Sequence, residues 1–102
     1  MSFEDDLENE LVEKGYTGPR ITGEDIDNLI IAEQYHVFND AKITICCLTL
    51  VNGYGVIGDS ACAARQDFDE DIGRRIAHAE ARAKIWQLEG YRLRQRINDT
   101  EE

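Results

Sequence analysis

The stretch Lys42 to Ser60, KITICCLTLVNGYGVIGDS, constrains the fold more than any other part of the chain. Lys42 to Val51 is rich in β-branched residues and apolar at both alternating sets of positions, the pattern of a central strand. Asn52-Gly53 follows directly, and both residues accept the positive φ of a type I′ hairpin turn. Tyr54 to Ser60 is then the returning strand, with Tyr54 and Val56 on one face and Ile57 on the other. From Ile72 to Ile97 the period becomes helical. Ile72, Ile76, Ala79, Ala83 and Trp86 step by three or four, flanked by Ala77, Ala81, Ile85 and Leu88. So many alanines predict a helix packed closely on a sheet, with Gly90 placed to bend or end it before Tyr91 and Leu93.

Ser2 to Lys14 reads as a short helix, capped by Ser2 with Asp5 three residues on and ended by Gly15. Phe3, Leu7 and Leu11 form a narrow apolar stripe among its acids. GYTGPR is a linker. Thr22 caps a second helix with Glu24 and Asp25 in its first turn, and Ile26, Leu29, Ile30 and Val37 supply its buried face. The fold class is α+β: a central β-hairpin or small antiparallel sheet, packed by a short N-terminal helical region and a long C-terminal helix. Residues 1–18 form an acidic arm and linker, 19–97 a single α+β domain, and 98–102 an acidic tail. At 102 residues the core is modest, so a homo-oligomer is expected.

Charge narrows the function. The chain carries −10 overall, and the charges are segregated. Residues 1–40 hold 11 acidic and 2 basic side chains, whereas residues 72–97 hold 2 acidic and 7 basic. Such a balance repels nucleic acid and argues against direct binding to it, while it suits a basic protein partner. MSFEDDLENE is acidic where a secretory signal is basic and then apolar. The run ITICCLTLV falls far short of the roughly twenty residues of a membrane helix. Three cysteines, two of them adjacent, make no disulfide framework, and the chain reads as cytoplasmic and reduced.

Candidate chemistry lies in four places. GDSAC puts Ser60 and Cys62 after a strand, but a nucleophile elbow needs glycine on both sides of the serine and Cys62 takes the second position. His36 and His78, each placed on or near a helix, have no evident orienting acid, so small residues that let a helix pack closely are the favoured reading. Cys46, Cys47, Cys62 and His36 could supply zinc ligands, yet adjacent strand residues point to opposite faces; no metal and no cofactor are expected. Arg74, His78 and Arg82 lie at i, i+4 and i+8 on one helix face with Arg75 beside them, a stripe able to hold a phosphate. Glu70–Arg74, Asp71–Arg75 and Glu80–Lys84 are acid-then-base pairs four apart, so a solvated face is the favoured reading of the stripe, with anion binding as the alternative. Arg82 has no such acid and stands four before Trp86, which suggests a cation–π contact. The acidic helix bearing Glu4, Asp5, Asp6, Glu8 and Glu10 is expected to dock on the chain's own basic helix, on another copy, or on a nucleic-acid-binding protein.

Taken together, Asn52-Gly53, Gly58, Ser60-Ala61-Cys62, Phe68-Asp69, Ile72-Gly73, Lys84-Ile85-Trp86 and Leu88-Glu89-Gly90-Tyr91 resemble a family of small tailed-phage proteins of unknown function. It is typified by products of the enquatroviruses and of Shigella phage Sf6. The resemblance runs from about Pro19-Arg20 to about Arg96 and leaves residues 1–18 outside. It implies a phage gene product made in the host bacterial cytoplasm, and it carries over no activity or catalytic residue. Small accessory phage proteins often act by binding, and those that capture signalling nucleotides imply an oligomer with an arginine-lined pocket.

The expected function is therefore a non-catalytic phage-encoded binding protein of host takeover or counter-defence. It sequesters a small anionic, nucleotide-like ligand with Arg74, Arg75, His78 and Arg82, or binds a host factor. In the alternative, Glu4, Asp5, Asp6, Glu8 and Glu10 imitate nucleic acid and block a basic host or CRISPR-type protein. A thiol or serine enzyme at GDSAC is the remaining class.

Overall fold

The structure is a computed structural model that describes residues 2–101. Met1 and Glu102, the ends of the expected arm and tail, lie outside the described residues. Helix α1 (Phe3–Glu13) is capped by the Ser2 hydroxyl, which accepts from the Asp5 amide at 3.2 Å. It ends as a Schellman motif: the Gly15 amide donates to Val12 O and the Tyr16 amide to Leu11 O, with Gly15 at φ 75°. Helix α2 (Gly23–Leu29) starts with a reciprocal capping box between Thr22 and Asp25.

Helix α2 stops after two turns, and here the structure differs from the sequence expectation. Residues Ile30–Phe38 form strand β1 instead of continuing the helix, so Val37 and His36 belong to a sheet. The segment IIAEQYHVF is rich in β-branched and aromatic residues, and its pairing with β2 satisfies the backbone groups on that side, the others lying along the sheet edge. β1 pairs antiparallel with β2 (Ile43–Leu50), and β2 pairs antiparallel with β3 (Gly55–Ala61), giving the order β1-β2-β3 with the expected strand at the centre. Residues 39–42 close the first hairpin, with Lys42 in the left-handed region at φ 55°.

The second hairpin is not a type I′ turn. Only Gly53 has positive φ, at 88°; the Gly53 amide donates to Leu50 O and the Leu50 amide to Tyr54 O. That is a three-residue loop with glycine in the left-handed position, the alternative hairpin chemistry that also needs Gly53.

Helix α3 (Glu70–Thr100) is capped by the Asp69 carboxylate, which accepts from the Asp71 and Ile72 amides. It runs unbroken through Gly90, where no neighbouring atom lies within 4 Å of an added Cβ. Residues 98–100 are thus helical. Its buried stripe is Gly73, Ala77, Ala81 and Ile85, whereas Ile72 and Ile76 of the expected stripe are exposed. The flanking alanines, not the isoleucines, face the sheet because close approach rewards small residues. The clearest case is Gly58, where an added Cβ would stand 2.1 Å from Ala77 O and 2.4 Å from the Ala81 amide.

The core lies between α3 and one sheet face: Cys46, Leu48, Leu50 and Val56 against Ala77, Ala81 and Ile85, closed at one end by Ile26. Each large aliphatic side chain fully buried here contributes about 1.5–3 kcal/mol. The opposite sheet face carries no covering element among the described residues. Along the free edge of β3, Lys84 Nζ donates to Ile57 O at 2.6 Å.

Candidate functional site

One helical position beyond the buried stripe of α3 come Arg74, His78, Arg82 and Trp86, all half-buried. A rotation of about 100° per residue sets this row on the flank of the helix. Strand β1 supplies the facing wall: its register sets Tyr35 opposite Cys46 and Glu33 opposite Leu48, on the α3 side of the sheet. Because α3 lies over β2 and β3, that side of β1 stays open and a groove runs along it.

Arg82 is the best-held side chain in the groove. Its Nε and Nη2 donate to the two carboxylate oxygens of Glu4 at 2.9 and 2.8 Å. Its Nη1 donates to Asp27 at 2.8 Å, and Nη2 also reaches Gly23 O at 3.1 Å. Trp86 Nε1 donates to the same Glu4 carboxylate at 2.9 Å. The Arg82 hydrogen bonds, with a smaller contribution from Trp86, hold the Glu4 carboxyl below its ordinary range against the opposing effect of burial. The Glu4 bond in turn raises the Arg82 guanidinium. The acid for Arg82 thus comes from α1 and α2, and among the described residues the cation–π contact is Lys42 over Phe68 at 5.3 Å, not Arg82 over Trp86.

Further along the groove, a cavity of about 280 Å³ is lined by Tyr35, Asp71, Arg74, Arg75 and His78. Arg74 and Arg75 meet Glu70 and Asp71 at 3.8 and 3.1 Å, the expected i,i+4 pairs. His78 Nε2 stands 3.5 Å from Glu33 Oε2, and the Tyr35 hydroxyl donates to Glu33 Oε1 at 2.9 Å. Burial first, and the Glu33 carboxylate second, push the Tyr35 hydroxyl up, so it stays a neutral donor. His78 also lines the adjoining cavity of about 500 Å³ with Arg82, Glu4, Asp5, Gly23 and Asp27. The four basic candidates therefore share one groove, but Arg82 is occupied by Glu4.

On the acidic arm, Glu4 is spent on Arg82, Glu8 forms a bidentate pair with Arg20, and Glu10 pairs with Lys14 at 3.1 Å. Asp5 and Asp6 make no ion pair among the described residues. Phe3, Leu7 and Leu11 border an apolar cavity of about 370 Å³ with Ile21 and Trp86.

At GDSAC, Ser60 lies on the α3 side of β3, whereas His36 lies on the other sheet face with its ring 4.4 Å from that of Phe38. The Cys62 thiol donates to Ala64 O at 3.1 Å. Cys46 and Cys47 alternate in burial along β2, and burial pushes the Cys46 thiol up. No group of three or more His, Cys, Asp or Glu able to hold a metal occurs among the described residues.

Sequence reasoning missed Glu33, Tyr35 and Asp27. The first two stand on β1, where the spacing predicts helix; the β-branched and aromatic density of IIAEQYHVF is the signal that points to a strand.

A family model described as phage protein (N4 Gp49/phage Sf6 gene 66) family matches residues 21–97. No curated protein and no solved structure matches the chain. No helix among the described residues is long and apolar enough to cross a membrane.

Proposed function

The chain belongs to the phage protein (N4 Gp49/phage Sf6 gene 66) family, and on that footing we propose that it is a non-catalytic binding protein that captures a small anionic, nucleotide-like ligand in the Arg74–His78–Arg82 groove. It acts in the host cytoplasm, in host takeover or counter-defence.

The observation that carries this reading is the cradle around Glu4. Three N–H groups, from Arg82 and Trp86, converge on the two oxygens of one carboxylate. Bidentate guanidinium geometry serves a phosphate as well as a carboxylate. Arg82 and Trp86 lie within the family segment, residues 21–97, and Glu4 lies before it. The Glu4 carboxylate stands in for an anionic group of the ligand, and α1 covers the site until that ligand displaces it. Arg74, Arg75 and His78 then meet its other charges, with Tyr35 as a neutral donor.

The test is native mass spectrometry and calorimetry with inorganic phosphate, nucleoside monophosphates and cyclic dinucleotides, on the full chain and on a chain lacking residues 2–14. Binding that tightens at least tenfold without the arm, and is lost in Arg82→Glu, supports capture. Absence of binding to both chains across the panel overturns it.

A second reading rests on Asp5 and Asp6, which make no ion pair among the described residues and leave an acidic surface for a basic host protein. Deleting residues 2–14 abolishes activity under this reading and spares it under the first.

A further inference from the structure

Strand β2 carries side chains for two covered faces and has one. Its inward positions Thr44, Cys46, Leu48 and Leu50 are buried by α3. Its outward positions Ile43, Ile45, Cys47 and Thr49 remain apolar in three places of four, although nothing among the described residues covers them. An antiparallel strand with one wetted face alternates apolar with polar residues, and β2 does not.

The neighbouring strands extend the same surface. β1 adds Ala32, Gln34, His36 and Phe38, and β3 adds Gly55, Ile57, Asp59 and Ala61. Phe38 is 47 % exposed and Ile57 52 %.

The overall dimensions point the same way. The chain exposes 7291 Å², whereas a compact monomer of 11.6 kDa exposes about 5,800 Å². Its radius of gyration is 16.7 Å, against about 13 Å for a compact domain of this length. The excess of about 1,500 Å² exceeds the roughly 800 Å² that each partner buries in a standard interface. The arm and the overhanging end of α3 take part of that excess. The sheet face is the part that the sequence wrote as core.

Charge selects the occupant. A basic partner is drawn to the acidic arm, away from this face. Two copies that each carry −10 repel least across a surface almost free of charge, and Asp59 is the one formal charge on these positions. From the doubly apolar strand, the excess area and the missing charge, we infer that two copies of the chain stack back to back through this sheet face. The pairing is isologous, with sheets about 10 Å apart and strand directions about 30° off, and Cys47 near the two-fold axis. It stands independently of what the groove binds.

The experiment is sedimentation equilibrium of the full chain, wild type and Ile45→Glu, with Ile76→Glu on the exposed side of α3 as control. The wild type and Ile76→Glu are expected at twice 11.6 kDa, and Ile45→Glu at the single mass with an unchanged circular dichroism spectrum. A short bismaleimide is expected to couple wild-type chains in pairs through Cys47, to couple Cys62→Ser equally, and to leave Cys47→Ser uncoupled. A monomeric wild type at near-millimolar concentration overturns the inference. So does a dimer that Ile76→Glu dissociates and Ile45→Glu does not. If Ile45→Glu fails to fold, the cross-link on the native sequence decides: a dimer uncoupled through Cys47 overturns the face.

Discussion

Glu4 and Arg82, separated by 78 positions, meet through two parallel hydrogen bonds of 2.9 and 2.8 Å. The same carboxylate receives the only tryptophan of the chain, Trp86. This contact and the Glu8–Arg20 pair join α1 to the body, since its apolar residues Phe3 and Leu7 remain exposed.

Glu4→Gln is therefore expected to release α1 while the sheet stays folded. A hydrogen bond to a charged partner contributes about 1.5–3 kcal/mol, enough to shift the arm from docked to mostly free. Trp86 fluorescence should shift to the red, and amide exchange should accelerate over residues 3–13 alone. Unchanged exchange in α1 would show that its docking does not depend on this carboxylate.

Acid should have the same effect. The folded-state Glu4 carboxyl titrates below its ordinary 4.5, chiefly through its hydrogen bonds to Arg82. A depressed carboxyl contributes stability above its unfolded value and loses it as pH falls through the folded one. The arm is thus held fully above pH 4.5 and is released as pH falls further, through the lower folded-state value. A Trp86 fluorescence titration should show this step in the wild type and lose it in Glu4→Gln.

Gly58 and Gly90 should respond oppositely to alanine. At Gly58 the methyl would collide with backbone atoms of α3, so a loss of about 3 kcal/mol or more is expected in urea unfolding. At Gly90 the methyl meets open space inside an exposed helix, and a gain of about 0.5–1 kcal/mol is expected.

The Thr44 hydroxyl is fully buried and has no hydrogen-bond partner among the described residues. It packs against Gly73, where an added Cβ would lie 2.7 Å from Thr44 Oγ1. Thr44→Val keeps the branched shape and removes the unsatisfied group, so a gain of about 1 kcal/mol in unfolding free energy, read as a higher urea midpoint, is expected. A lower midpoint would mean that the hydroxyl finds a partner in solution.

Legibility followed the range of the interaction. Caps, turns and the acid-then-base pairs on α3 involve residues a few positions apart, and the signals at Ser2, Thr22 and Gly53 all lead to real features. β1 is hidden in the sequence because Ile26, Leu29, Ile30 and Val37 also fit a helical spacing, and what decides for a strand is its partner β2. The groove is half legible: the spacing of Arg74, His78 and Arg82 places them in one row, but Glu33 and Tyr35 arrive from β1, whose pairing the sequence does not display.

By itself the sequence determined the capped helices, the central strand and its returning partner, because propensity and turn chemistry are local. Only the tertiary structure decided which side of α3 is buried. The face that allows backbone contact at Gly58 turns Ala77 and Ala81 inward and leaves Ile72 and Ile76 outside. It also decided the fate of Arg82, whose acids come from two other helices. Close packing and long-range charge pairing depend on the path of the chain between distant residues, and that path is set when the sheet and helix dock.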